Sequence, residues 1–260
     1  MDYSQFITNV GSKKSRRAIL LKGPSGSGKT FQFRTLHDAG MRGLYVCVDE
    51  HAETLSDLTF DRWNLTNVDV PLTPTEKDPN KQNFIALMDY LRSDLHEYDF
   101  VYFDSLMNFA DELVQYLKYT RRLTGFELWL AFGEKMKRAL KTLVSLAQPK
   151  YPRPLHVLAT WGVEVSQDWE GKRAIVPIVD GKMVGPKIDY FFDDVLMLRK
   201  EQDFDTKEIR FVAYTGGTHE FEAKVSSATV KMPPVWLNPD LNRMLEKFGV
   251  KNVEEEGEDN

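Results

Sequence analysis

The chain has 260 residues, of which 42% are hydrophobic and 28% charged, and its formal net charge is −5. This composition indicates a globular protein with one sizeable core and excludes a protein that coats nucleic acid over its whole surface. The single cysteine, Cys47, excludes a disulfide framework and favours a reducing, cytoplasmic location. No apolar stretch approaches the roughly 18 residues of a membrane span, so we expect a soluble protein without a membrane partner.

The first predicted strand, residues 18–22, leads into a G-x-x-x-x-G-K-T pattern that ends at Lys29 and Thr30. In a phosphate-binding loop of this kind, glycines let the backbone curl so that its N–H groups point at a polyphosphate. The pattern predicts that Lys29 reaches the β- and γ-phosphates of a nucleotide, that Thr30 ligates Mg²⁺, and that a helix follows over 29–38. The expected nucleotide-binding residues are Gly23, Pro24, Ser25, Gly26, Ser27, Gly28, Lys29, Thr30 and Phe31.

Apolar runs then alternate with helical segments, a pattern that predicts an α/β fold with a mostly parallel central sheet and helices on both faces. A second strand is predicted over 43–48, and an amphipathic helix begins at Phe84. The next strand, 100–103, ends in Asp104, about 75 residues after Lys29, where many phosphate-loop ATPases place the carboxylate that supports Mg²⁺. The alternative is a helix cap, because a helical segment follows.

The remaining elements complete one domain, predicted over residues 1–250, and an acidic, disordered tail at 251–260. A long polar loop is predicted over 162–187, and the last predicted element is a helix after Pro239. The other predictions are helices over 106–122 and 126–147, strands over 155–161, 194–199 and 209–214, and an antiparallel hairpin partner at 219–225.

Hydrolysis requires a group that orients or deprotonates the attacking water. Val48-Asp49-Glu50-His51 follows the second strand, whose tip neighbours the predicted position of the γ-phosphate. Glu50 is the preferred candidate and Asp49 the competing one. An exposed loop glutamate is the structural alternative.

The three motifs together, a phosphate loop and strands followed by Asp-Glu-His-Ala and Asp-Ser, resemble the RecA-type recombinase core. They are most similar to the short RecA-like ATPases of bacteriophages that act in single-strand annealing and recombination. The resemblance covers residues 15–235 and implies a Mg²⁺-dependent ATPase in which Glu50 activates water and Asp104 supports the metal. It also implies single-stranded DNA as a partner, self-association as a filament or ring with ATP sites between subunits, and residence in the host cytoplasm for a phage protein.

The same resemblance assigns roles later in the chain. A residue that senses the γ-phosphate falls on Thr160-Trp161, with a core position as the alternative for Trp161. Residues 162–187 correspond to a segment that contacts single-stranded DNA, with an ordinary solvated loop as the alternative. Lys224 corresponds to a lysine that reaches the neighbouring subunit's nucleotide, although Val225-Ser226 departs from the relatives there. The candidate DNA contacts are Trp169, Lys172, Arg173, Lys182 and Lys187.

Two other functional classes remain open. The first is a small-molecule P-loop kinase, although Arg121 and Arg122 are all that resembles an arginine-rich lid after Asp104. The second is a nucleotide-regulated assembly protein without DNA binding, which needs no water-activating carboxylate at Glu50. A GTPase is disfavoured because the chain lacks an Asn-Lys-x-Asp segment, and an ABC-type ATPase because it lacks Leu-Ser-Gly-Gly.

Overall fold

The structure is a computed structural model that describes residues 16–48, 53–65, 68, 84–167, 173–179, 185–226 and 231–249. Within these ranges nine strands form one sheet, which five α-helices cover. The strands are β1 (Ala18–Gly23), β2 (Gly43–Cys47), β3 (Asp61–Asn64), β4 (Phe100–Asp104), β5 (His156–Gln167), β6 (Arg173–Pro177), β7 (Asp194–Gln202), β8 (Ile209–Tyr214) and β9 (Val235–Leu237). The α-helices are α1 (Phe31–His37), α2 (Phe84–Arg92), α3 (Leu106–Gln115), α4 (Gly125–Val144) and α5 (Leu241–Lys247).

The strand order across the sheet is β3-β2-β4-β5-β1-β7-β8-β9, and β6 pairs with the far end of β5. Neighbours from β3 through to β7 are parallel, whereas β8 is antiparallel to both β7 and β9. The carboxyl ends of β1, β2 and β4 therefore meet at one edge of the sheet, where ligands bind in open α/β folds.

The two faces of the sheet carry separate hydrophobic clusters, because successive strand residues point to opposite sides. On β1, Ile19 and Leu21 pack with α1 and α5, whereas Ala18 and Leu20 pack with α2, α3 and α4. Every residue of β1 is buried, which explains the continuous apolar run seen in the sequence. The predicted α/β class, with a mostly parallel sheet, helices on both faces and antiparallel strands toward the C-terminal end, is confirmed.

The prediction of a loop over 162–187 is wrong in two stretches. Strand β5 continues to Gln167, and β6 pairs with it in the antiparallel direction. Val163 is opposite Pro177 at one end of this pairing, and Gln167 is opposite Arg173 at the other. The last four residues of β5 are exposed. Polar composition in this segment therefore reflects a partly solvent-exposed hairpin, whose exposed side chains need not be apolar.

The predicted hairpin partner of β8 at 219–225 is also wrong. Strand β8 lies between β7 and β9, and the β8–β9 register pairs Tyr214 with Val235. Segment 219–225 instead forms an isolated antiparallel bridge, in which the backbones of Lys224 and Val195 exchange hydrogen bonds of 2.8 and 2.9 Å. The short strands β3 and β9 have no predicted counterpart, because neither carries a buried apolar run.

The helices predicted over 106–122 and 126–147, before β5, are confirmed with small changes. After α3 the chain makes a π-helical turn over Tyr116–Thr120, and after α4 a 3-10 turn over Ser145–Ala147. The terminal helix is α5. Within the part of the chain that the structure describes, no helix combines the length and apolarity needed to cross a membrane. The acidic tail lies outside the described residues, and the single domain over 1–250 stays a prediction.

Candidate nucleotide site

The loop between β1 and α1 has the backbone geometry of a phosphate cradle. Gly26 and Gly28 have φ angles of +69° and +90°, which are unfavourable for any residue that carries a Cβ atom. At Gly23 an added Cβ would collide with the carbonyl oxygen of Leu198 on β7. The glycines of the pattern are therefore required by this fold, and the residues present fit a polyphosphate ligand.

The Lys29 side chain folds back over this loop. Its Nζ donates to the carbonyl oxygens of Gly23 and Pro24 at 2.8 and 2.9 Å. Burial lowers the pKa of Lys29, and the nearby charge of Asp104 opposes that change. Because both acceptors are neutral carbonyls, an incoming phosphate offers this ammonium a stronger, charge-assisted partner.

Asp104, at the end of β4, accepts hydrogen bonds from three hydroxyl groups. Thr30 Oγ1 and Tyr45 OH each donate to its Oδ2 at 2.7 Å, and Thr160 Oγ1 donates to its Oδ1. The alternative of a helix cap is wrong for Asp104, because Ser105 caps α3 by accepting from the Asn108 N–H at 3.2 Å. The carboxylate is thus held toward the phosphate loop.

The contact between Thr30 and Asp104 brings together the two residues predicted to support Mg²⁺. Hydroxyl and carboxylate oxygens are the donors that this cation takes in proteins, usually alongside water and substrate phosphate. The donor set therefore fits Mg²⁺. The two residues lie 74 positions apart along the chain, and their role toward Mg²⁺ stays a prediction.

Two tyrosines hold Lys29 and Asp104 in place through hydrogen bonds. The Tyr102 hydroxyl donates to the carbonyl oxygen of Lys29, and the rings of Tyr102 and Tyr45 stack with centroids 6.0 Å apart. Burial raises the pKa of Tyr102 well above its usual range, so its phenol stays protonated and remains a donor. Neither tyrosine was singled out from the sequence, because both lie within apolar strand runs that indicate only burial.

A cavity of about 750 Å³ opens beside the phosphate loop, a size in the range of small-molecule sites. Its far wall comes from Phe211 on β8 and from the segment that leads into α5. Gln32 joins the two walls, since its Nε2 donates to the Pro239 carbonyl at 3.1 Å while its buried Oε1 has no partner. Sequence reasoning missed this wall. Asp240 signals only the start of α5, whose N-cap it forms.

The remaining predicted residues lie elsewhere or outside the described ranges. Trp161 is fully buried and donates from Nε1 to the Ile178 carbonyl at 2.7 Å, so its core position is confirmed. Arg173 is exposed at the start of β6. Lys224 bridges Val195, which pairs with Leu20, three residues before the phosphate loop. The residues outside the described ranges are Asp49, Glu50, His51, Trp169, Lys172 and Lys182.

Three comparisons with known proteins complete the description. A nucleotide-binding protein of Pseudoalteromonas atlantica is 32% identical over 111 residues, which span 41% of this chain and 36% of that relative. A crystal structure of a KaiC-like protein from Pyrococcus horikoshii matches over 86% of this chain and 90% of its own, with 12% identity and a TM-score of 0.39. Residues 15–227 match the family described as AAA domain. Because this match spans well over half of the chain, the protein belongs to the AAA domain family and carries a nucleotide-binding, ATPase-like P-loop domain.

Proposed function

We propose that the protein is a Mg²⁺-dependent ATPase that binds single-stranded DNA and assembles with ATP sites between subunits. The observation that carries the ATPase part is the hydrogen bond between Thr30 and Asp104 beside Lys29. The resemblance of the motifs to short RecA-like ATPases of bacteriophages supports a role in DNA recombination, annealing or replication. DNA binding and assembly are proposed on that resemblance and on the positions of the β5–β6 hairpin and Lys224.

The residues of the site form a preorganised charge-binding surface. Backbone N–H groups of the phosphate loop and the Lys29 ammonium bind the phosphates of ATP and stabilise negative charge as the γ-phosphoryl group departs. Thr30 and Asp104 would hold Mg²⁺, which would supply further neutralisation of the phosphate charge. Tyr45 and Thr160 fix the Asp104 carboxylate in one orientation, because each donates to one of its oxygens. Little reorganisation is then needed at the moment of reaction.

Water activation is proposed for Glu50. Strand β2 ends at Cys47, which pairs with Asp104 on β4, so the chain leaves β2 beside the carboxylate proposed to support Mg²⁺. Glu50 follows three positions later in the sequence. A carboxylate near this strand tip has the chemistry of a general base for the attacking water.

Glu50→Gln is expected to lower ATP turnover about 10²-fold or more while ATP binding is kept, because the amide preserves shape but cannot take a proton. Turnover is measured by phosphate release, and binding by the fluorescence of a labelled ATP analogue. Asp49→Asn is the matched control. Parental turnover in Glu50→Gln together with an inactive Asp49→Asn would transfer the role to Asp49.

DNA binding is proposed for the hairpin of β5 and β6. The hairpin extends beyond the buried part of the sheet, and Arg173 opens its second strand with an exposed side chain. The connecting sequence contains Trp169 and Lys172, and Lys182 follows β6. An aromatic residue among cations is the composition that single-strand-binding surfaces use.

Assembly is proposed through Lys224. Its backbone lies beside the amino-terminal half of β7, whereas the phosphate loop follows the carboxyl end of the neighbouring β1. This placement favours contact with a neighbouring subunit over contact with the nucleotide of its own chain. The lysine would then act as a trans cation on the γ-phosphate.

One experiment separates the functional classes. ATP turnover is measured at increasing protein concentration, with and without a 30-nucleotide oligodeoxythymidine, alongside sedimentation velocity. We expect turnover to rise with DNA and with concentration as subunits associate. Nucleotide binding and association without turnover would indicate an assembly protein, and phosphate transfer to a small acceptor without a DNA effect would indicate a kinase.

A further inference from the structure

A second depression, of about 480 Å³, lies against the outer side of α4, and we name it the basic groove. Among the described residues that line it there is one carboxylate, Glu134. The cationic and aromatic lining residues are Arg92, Lys137, Arg138, Lys141, Lys150 and Tyr151.

The helical period explains the concentration of charge along α4. Lys141 follows Arg138 by three residues and Lys137 by four, so its side chain neighbours both on the helix surface. The opposite face carries the buried residues Met136 and Leu140, which belong to the core under the sheet. Lys137 and Lys141 are four residues apart, slightly more than one helical turn and about 6 Å along the axis. They form a short row of ammonium groups.

The end of α2 and the segment after α4 complete the groove. Arg92 is the last residue of α2, and it lies 3.9 Å from Asp89. Tyr151 comes from the connection between α4 and β5, and its hydroxyl lies 3.2 Å from Ser145 Oγ. The Lys150 Nζ and the Arg92 Cζ lie 5.1 and 5.8 Å from the centroid of the Tyr151 ring. An aromatic ring therefore sits among the cations.

The groove is remote from the nucleotide cavity. Arg92 precedes β4 and Tyr151 precedes β5, so the groove lies near the amino ends of these parallel strands. The phosphate loop follows the carboxyl end of β1, at the opposite edge. Helices α2 and α4 also cover the face of the sheet opposite to α1. An occupant of the groove therefore leaves the nucleotide cavity open.

We propose that the basic groove binds a strand of single-stranded nucleic acid through its phosphates. The five lining cations outnumber Glu134 and the Asp89 carboxylate that pairs with Arg92, so the groove carries a net positive charge that a polyanion neutralises. A single strand fits better than an acidic peptide because the Tyr151 ring offers a stacking surface for a base. The Asp and Glu side chains of an acidic peptide have no ring that could stack there. The inference adds a surface to the proposed DNA binding and stands on α2, α4 and residues 148–151 alone.

The test uses the full chain and a fluorescein-labelled 30-nucleotide oligodeoxythymidine. Anisotropy titrations are run between 50 and 200 mM salt on Lys137→Gln/Lys141→Gln and on a matched control, Lys207→Gln/Lys231→Gln, which removes two exposed lysines elsewhere. We expect the groove variant to bind about tenfold more weakly, and its slope of log affinity against log salt to fall by about 1.4, because each lost phosphate contact removes about 0.7. Lys137→Arg/Lys141→Arg should restore binding.

The outcomes separate this inference from the proposed DNA-binding hairpin. Lys172→Ala/Arg173→Ala tests the hairpin, so weakened binding there with parental binding in the groove variant overturns the inference and leaves the proposed function intact. Displacement of the oligonucleotide by polyglutamate of equal charge, at equal charge concentration, would also overturn it by showing that any polyanion suffices. Parental binding of a labelled ATP analogue in the groove variant excludes misfolding as the cause of a loss.

Discussion

Lys29→Ala is expected to abolish ATP hydrolysis, with a loss of at least about 3 kcal/mol in transition-state stabilisation. The ammonium lies above the phosphate loop and is bonded to two neutral carbonyl oxygens, so it is positioned to neutralise phosphate charge. Alanine removes this charge and offers nothing in its place. A loss of this size corresponds to about a 10²-fold fall in kcat/KM or more, which a phosphate-release assay detects readily.

Two controls define what that result means. Lys207→Ala removes an exposed lysine outside the site and should leave hydrolysis unchanged. Lys29→Arg keeps the positive charge but replaces a compact ammonium with a planar guanidinium, so a strong loss there indicates that position matters as well as charge. Parental activity in Lys29→Ala would show that the phosphate loop is not the hydrolytic site.

The contacts within the candidate phosphate site were predictable because their signals in the sequence are local. Lys29 and Thr30 are identified by an eight-residue pattern, and Asp104 is the polar residue that closes a buried apolar run. The position of such a strand in a parallel sheet places its carboxyl end at the ligand edge. No long-range information was needed for these three residues.

The rest of the site depends on contacts between distant segments. Tyr45 becomes a partner of Asp104 only because β2 and β4 are adjacent, and strand order cannot be derived from apolar periodicity. Phe211 reaches the nucleotide cavity because β8 follows β7 and β1 in the sheet, and its strand mixes exposed and buried residues in a way that marks no site. The β5–β6 hairpin was missed for the opposite reason, because its polar residues matched the composition of a loop.

Asp194→Ala is expected to destabilise the fold by about 3–5 kcal/mol, the cost of leaving a buried charge without its partner. Asp194 begins β7 and is fully buried. It accepts from Arg17 Nε, from Arg17 Nη2 at 2.8 Å and from the Ser226 N–H at 2.9 Å. Arg17 is itself nearly buried and stacks on Phe248 at 4.0 Å, so its guanidinium has little access to water. The pair fastens β7 to the chain immediately before β1, the strand that carries the phosphate loop.

Urea unfolding followed by tryptophan fluorescence measures the change, and the fold should also melt about 10 °C lower, at roughly 2–4 °C for each kcal/mol. Asp57→Ala is the matched control, because it also removes an aspartate paired with an arginine, Arg34, but the pair is exposed and should contribute little. Arg17→Met/Asp194→Leu removes both charges and should be less destabilising than Asp194→Ala, since no charge then remains buried. Equal urea midpoints for Asp194→Ala and Asp57→Ala would show that the buried pair does not fasten β7 to β1.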